Sequence, residues 1–292
     1  MRPLPAPARG AVDAHLHLWD LDRGDYAWLT PDLGPLHRTF TAPEARAQLD
    51  GCGIPAAVLV QAEDSERDTE LMLEVAGREG WVVGVVGWVR LDDPAVAAAQ
   101  LERWQRFPAF RGVRHLLHDD PRDGLLAAPA VRTTLRLLAE RDLAFDVPDA
   151  WPRHLADTAE LARDLPGLRI VVDHLGKPPY GTPAWHDWRA ALAAVAAQPG
   201  TVAKVSGLQP GTGPFTADVV RPAWETALEL FGPDRMMWGS DWPMTVRSGG
   251  YAAAWEVVGG LIGELAPDEQ DAVLAATAER TYRLARGRDR GR

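Results

Sequence analysis

The chain has one cysteine, Cys52, in 292 residues. That scarcity excludes an intramolecular disulfide and any zinc site built on several thiolates, and it suits a reducing compartment. No run of 18 apolar residues occurs, and the first ten residues, Met1 to Gly10, lack the apolar core of a secretion signal. The sequence therefore predicts neither membrane insertion nor export, and a cytoplasmic location. Basic residues are also in deficit, with 31 Lys and Arg against 41 Asp and Glu and a formal charge of −10. Nucleic acid and anionic membrane surfaces are poor partners for such a chain. A small-molecule substrate fits better, with homo-oligomerisation left open.

What is present is a core-forming composition, 46% apolar, arranged in a repeating pattern. Short β-branched apolar runs at 12–19, 56–62, 82–89, 110–117, 143–147, 169–175, 201–208 and 236–241 alternate with segments of helical period at 43–49, 68–80, 94–104, 129–141, 153–165, 185–198 and 217–231. Two more helical segments, 252–265 and 267–284, follow the last run. Apolar strands alternating with amphipathic helices make parallel βα units, and eight of them predict a closed (β/α)8 TIM barrel, class α/β. No composition shift divides the chain, so one domain is expected over 1–292, with disordered tails at about 1–10 and 286–292. The Gly- and Pro-rich segment 21–40 reads as a loop capping the barrel mouth. Twelve tryptophans are present. Trp19, Trp28, Trp88, Trp151 and Trp242 fall beside strand ends, where they either fill core or line a pocket.

In such barrels the site is built at the C-terminal ends of the strands. The first run ends in Val12-Asp13-Ala14-His15-Leu16-His17, and a strand period of two puts both imidazoles on one face. Two rings aimed at one point can bind a divalent metal, hold an oxyanion or shuttle a proton. The other strand ends offer Gln61, Arg114 and His115, Asp173 and His174, Lys204 and Ser206, and Asp241. Gln61 and His115 either bind substrate hydroxyls or satisfy backbone groups. Arg114 is either an anchor for substrate oxygens or half of an internal ion pair. Lys177 and His118 lie in loops at the mouth, where solvation is the alternative to a role. His37, His154 and His186 read as surface or packing residues.

The chain resembles the amidohydrolase superfamily, amidohydrolase family 2. Within it the match is to the branch of sugar lactonases acting on L-fucono- and L-rhamnono-lactones, with a pyrone-dicarboxylate lactonase more distant. The resemblance runs nearly end to end. It rests on Asp13-Ala14-His15-Leu16-His17-Leu18-Trp19-Asp20, Tyr26-Ala27-Trp28-Leu29, Leu59-Val60-Gln61-Ala62, Gly84-Val85-Val86-Gly87-Trp88-Val89, Phe110-Arg111-Gly112-Val113-Arg114-His115, Asp173-His174-Leu175-Gly176-Lys177-Pro178, Lys204-Val205-Ser206-Gly207-Leu208 and Gly239-Ser240-Asp241-Trp242-Pro243. It implies a catalytic cluster of His15, His17, His174 and Asp241, with Arg114, His115, Gln61, Trp242 and His118 as substrate contacts. His118 departs from the glutamine expected in sugar lactonases, which bears on substrate preference. Thr277-Ala278 replaces the usual Asn-Ala.

The strand-four lysine that bridges two metals in binuclear amidohydrolases is absent here, which argues against a two-metal site. Three histidines and an aspartate still suit one zinc or manganese ion, and relatives that work without metal leave both alternatives standing. Either way the implied reaction is hydrolysis of a carboxylic ester. Asp241 as general base draws a proton from water, water attacks a lactone carbonyl, and the histidines or their ion stabilise the oxyanion. Two other functions compete: a mononuclear-metal decarboxylase or hydrolase of aromatic-acid breakdown, and a catalytically silent barrel that binds a sugar acid.

Overall fold

Each apolar run becomes a buried parallel strand, because a strand covered on both faces has no polar side to present. In the computed structural model, which describes residues 10–211 and 213–285, these are β1 (Val12–Leu16), β2 (Ala56–Val60), β3 (Val82–Gly87), β4 (Phe110–Arg114), β5 (Ala144–Val147), β6 (Arg169–Val172), β7 (Thr201–Val205) and β8 (Met236–Trp238). They pair in chain order from β1 to β8, and a parallel bridge between Leu16 and Trp242 closes the ring. The fold is the expected (β/α)8 barrel. The expected tails, Gly10 apart, lie outside the described residues.

Between the strands run α1 (Ala42–Cys52), α2 (Glu66–Arg78), α3 (Pro94–Trp104), α4 (Pro129–Glu140), α5 (Leu155–Asp164), α6 (Trp185–Ala196) and α7 (Ala217–Phe231), with α8 (Gly250–Ile262) after the last strand. Their starts are chemically marked. Thr41 and Glu44 form a capping box before α1, Ser65 caps α2, and Asp93 accepts two backbone N–H groups ahead of Pro94 in α3. Each satisfies donors that the first helical turn leaves free. The final segment, expected as one helix, is α9 (Pro267–Asp271) and α10 (Thr277–Thr281) joined by a π-helical turn at Ala272–Ala276. Among the described residues no helix is long and apolar enough to cross a membrane.

The strands are shorter than their apolar runs suggest at the top, and this places the site. After β6 the chain turns through His174 and Leu175 at φ 56° and 53°, and after β8 through Asp241 at φ 56°. These left-handed residues swing the strand-end side chains out of the sheet's own alternation. The segment at 21–40 is irregular, as expected, but includes a 3₁₀ stretch, Pro31–Leu36, kinked at Gly34. It is pinned over the mouth by Trp28 Nε1 donating to the Ala62 carbonyl (2.7 Å) and Tyr26 Oη donating to Asp68 (2.8 Å).

Inside the barrel, alternate residues of the strands form layers. The lower ones are apolar: Val12, Ala14, Val58, Val60, Val86, Val171 and Met237 cluster with Tyr282 and Leu284, which follow α10. Above them the same alternation on β4, β5 and β7 brings in Arg114, Asp146 and Lys204. Asp173, just past β6, completes a buried charged layer beneath the mouth.

Candidate active site

Two glycines let the strand-end segments approach. A Cβ on Gly239 would lie 2.6 Å from that of His15, so β8 can pass β1 at this point only without a side chain. A Cβ on Gly207, at φ 56°, would lie 2.3 Å from His174 Nδ1. Backbone bonds then fix the register: Asp241 N donates to the His15 carbonyl and His17 N to the Trp242 carbonyl, both at 2.8 Å. Asp13 Oδ1 accepts from the backbone N–H of His15 (3.1 Å) and of Ser240 (2.9 Å), tying the two strand ends together.

Three imidazoles converge on one carboxylate oxygen. Asp241 Oδ1 lies 3.4 Å from His17 Nε2, 3.7 Å from His15 Nε2 and 3.9 Å from His174 Nε2. His15 Nε2 and His17 Nε2 are 3.0 Å apart. The far nitrogens are held from behind. His17 Nδ1 meets the Val60 carbonyl at 2.8 Å, and a carbonyl only accepts, so Nδ1 carries a proton and donates it there. His174 Nδ1 meets Ser206 Oγ at 2.9 Å. His15 Nδ1 faces Lys204 Nζ at 3.1 Å and Asp173 Oδ1 at 3.4 Å.

The charged layer supports this cluster. Lys204 Nζ bonds Asp146 at 2.6 Å and pairs with Asp173 at 3.1 Å, Arg114 Nε bonds Asp173 Oδ2 at 2.9 Å, and Tyr282 Oη donates to Asp146 at 2.7 Å. Burying ions costs several kcal/mol each unless they are paired and hydrogen-bonded, and here each is paired. Burial drives His15 well below the usual imidazole range despite the pull of Asp173. Burial likewise lowers His174, against the attraction of Asp241 and Asp149. For Asp241 burial alone favours the acid, but the attraction of His174, the hydrogen bond from His17 and the charges of His15 and His17 outweigh it and hold the carboxyl below its usual range. At neutral pH the site therefore has an ionised Asp241 facing the three imidazoles. That is a base beside donors or ligands.

The donor set also fits a metal ion. Zinc held tetrahedrally with bonds of about 2.0–2.1 Å separates its ligands by about 3.3 Å. The spacings of 3.0 Å between His15 and His17 and 3.4–3.9 Å to Asp241 bracket that figure. His15, His174 and Asp241 form a compact potential ligand group, with His17 beside it. The second contacts of His17 and His174 are those that orient metal-bound imidazoles.

A cavity of about 210 Å³ opens above the cluster, and His17, Arg114, His118, His174 and Asp241 all line it. Of the other residues singled out from sequence, His15 sits fully buried behind the wall. Gln61, His115 and Trp242 are not among the lining residues. Gln61 Nε2 is committed to Asp64 (3.0 Å) and the Arg114 carbonyl (3.3 Å). His115 is held by Trp88 Nε1, Asp64 and Asp120, each at 3.1 Å. Trp242 packs edge-on against Phe40. These three buttress the wall from behind. Trp19 and Trp28 do reach the cavity. His154, read as packing, is buried with Nε2 on the Leu117 carbonyl at 3.0 Å.

Sequence reasoning placed Asp173 and Lys204 among the strand-end candidates and Lys177 at the mouth without assigning them a contact, and it did not single out Asp146 or Asp149. For Asp146 and Lys204 the signal was a lone charge at an inward position of an apolar strand, in Ala144-Phe145-Asp146-Val147 and Ala203-Lys204-Val205. Such charges need partners. Asp149 and Lys177 lie in the loops after β5 and β6 and line the cavity.

This fold and this cluster define a metal-capable hydrolytic barrel, and the chain belongs to the amidohydrolase family, which matches residues 12–284. It is 34% identical to an L-fucono-1,5-lactonase of Burkholderia ambifaria, over 94% of this chain and 96% of the relative. To an L-fucono-1,5-lactonase of Burkholderia multivorans it is 32% identical, again over 94% and 96%. A crystal structure of an amidohydrolase from Burkholderia multivorans with bound zinc superposes with a TM-score of 0.86 at 29% identity, covering 94% of this chain and 99% of that one.

Proposed function

We propose that this protein hydrolyses the ring ester of a neutral sugar-acid lactone of the L-fucono or L-rhamnono type, with Asp241 as general base. The observation that carries the reading is the convergence of three imidazoles on the Asp241 carboxylate at the floor of a small cavity. Asp241 draws a proton from a water molecule as its oxygen bonds to the lactone carbonyl carbon. The carbonyl oxygen becomes an oxyanion beside the histidines, where His174 offers Nε2 as a donor when its Nδ1 accepts from Ser206. As the tetrahedral centre collapses the ring C–O bond breaks, and Asp241 returns its proton to the departing alkoxide. An alkoxide leaves more readily than an amine, so no stronger acid is required. A zinc or manganese ion bound here would be held by His15, His17, His174 and Asp241 and would supply charge stabilisation for the oxyanion.

The charges of the wall favour a neutral substrate over the aromatic acids of the competing reading. Asp119, Asp149 and Asp241 line the cavity, while Arg114 is already paired with Asp173 and Lys177 faces Asp149. A dicarboxylate would meet more negative than uncompensated positive charge. A cavity of about 210 Å³ lies below the roughly 300–1,000 Å³ of drug-sized sites and suits one ring. The free, half-buried Cys52 fits a cytoplasmic enzyme. A pH-indicator assay over aldonolactones, alkyl lactones and carboxylated pyrones, with and without chelator, tests the reading. Preferential turnover of aldonolactones supports it, and turnover confined to carboxylated pyrones overturns it.

A further inference from the structure

We infer that Asp149 and Lys177 form a hydroxyl-binding pair in the cavity wall that selects a polyhydroxylated ring; the inference rests on the lactonase reading and names the contact that gives it specificity. Both residues line the same cavity as His174 and Asp241. They sit on neighbouring loops, after β5 and β6, joined by a hydrogen bond from Trp151 N to the Gly176 carbonyl (2.9 Å), while Lys177 N donates to the His174 carbonyl (2.9 Å). The pair is thus built into the same turn that carries a catalytic imidazole.

Both residues hold left-handed backbone, Asp149 at φ 38° and Lys177 at φ 67°. For a side chain as long as lysine this is a strained choice where glycine would be relaxed. Strain of this kind persists where surrounding structure enforces it and gathers at ligand sites.

The pairing itself is incomplete. Lys177 Nζ stands 3.6 Å from Asp149 Oδ1, beyond the roughly 2.7–2.9 Å of a closed charge-assisted hydrogen bond. Asp149 Oδ1 is buried and accepts no hydrogen bond, and a buried acceptor without a donor is a costly feature to leave unused. Burial favours the protonated form, but the charges of Lys177 and His174 keep the carboxyl ionised, below its usual range. One group that completes both halves is a ligand hydroxyl, which accepts from Nζ and donates to the carboxylate. A ligand carboxylate would satisfy Lys177 alone and be repelled by Asp149.

The test compares kcat/KM for an aldono-1,5-lactone with that for δ-valerolactone, which has the ring ester and no hydroxyls, in the wild type, Asp149→Asn, Lys177→Asn and the double variant. Asparagine tolerates left-handed backbone, so both changes preserve the turn. The sugar-to-valerolactone ratio is expected to fall about tenfold or more in each single variant, the scale of one hydrogen bond to a charged group. In the double variant it should fall by less than the product of the two. A second readout needs no turnover: calorimetric titration of the unreactive ring polyol 1,5-anhydroglucitol should show binding to the wild type and weaker binding to both single variants. Ratios and polyol affinities equal to wild type overturn the proposal. If the wild type turns over no lactone, the lactonase reading fails and the polyol titration alone decides on the pair.

Discussion

Replacing Asp241 by Asn removes the proposed base and leaves the architecture intact. Asp241 occupies φ 56°, a conformation that Asn tolerates among the best of the non-glycine residues. The amide is also nearly isosteric with the carboxylate. The backbone bond from Asp241 N to the His15 carbonyl, at 2.8 Å, is indifferent to the side chain. Loss of general-base catalysis typically lowers the rate by about 10²–10⁴. The expected result is a fall in kcat of that size on an aldonolactone, with unchanged circular dichroism and a Tm at or near that of the parent. Near-normal kcat in the variant would refute the assignment. A collapse of Tm would show that Asp241 holds the cluster together rather than acting on water.

Three further outcomes follow from the geometry. Arg114→Met should lower kcat/KM for sugar lactones by about 10–100-fold, or about 1.4–2.7 kcal/mol. Because it also strands buried Asp173 Oδ2, now bonded at 2.9 Å, it should lower Tm as well; unchanged Tm and kinetics would contradict both roles. Metal analysis of purified protein should find at most one equivalent per chain, and two equivalents both needed for activity would show a misread ligand set. The pH dependence of stability should change in Asp68→Asn. Burial pushes Asp68 from its ordinary 3.8 up to about 7, so the native state retains a proton that the unfolded chain releases. That contribution is complete below about pH 4 and is lost as pH rises through about 7. Thermal melts at pH 5 and pH 8 should therefore show the variant gaining on the wild type at the higher pH, and a constant difference would count against the buried acid.

The barrel was legible because parallel strands read as continuous apolar runs, and all eight were visible. Their upper limits were not, because His174, Leu175 and Asp241 themselves take left-handed backbone, which a residue other than glycine does not announce in sequence. His15 and His17 were legible from their spacing alone, and His174 and Asp241 from polar residues ending apolar runs. The charged layer was hidden by distance: Asp146 meets Lys204 from 58 residues away, and neither forms a local pattern. Gln61 and His115 were placed in the right layer, but strand position does not say which partners a side chain will find. Asp64, Trp88 and Asp120 reach them from loops and the strand-three end and hold them away from the cavity. Lys177, read as solvated, lies in a turn whose shape only the folded chain defines.

Hydrolysis of an aldono-1,5-lactone in ¹⁸O-labelled water, followed by mass spectrometry of the product, tests most directly the claim that water attacks the carbonyl at Asp241. The account predicts enzyme-dependent entry of one label into the carboxylate and none into the released hydroxyl, at a rate that falls with Asp241→Asn. Label in the released hydroxyl, or a rate no greater than that of buffer alone, would contradict it.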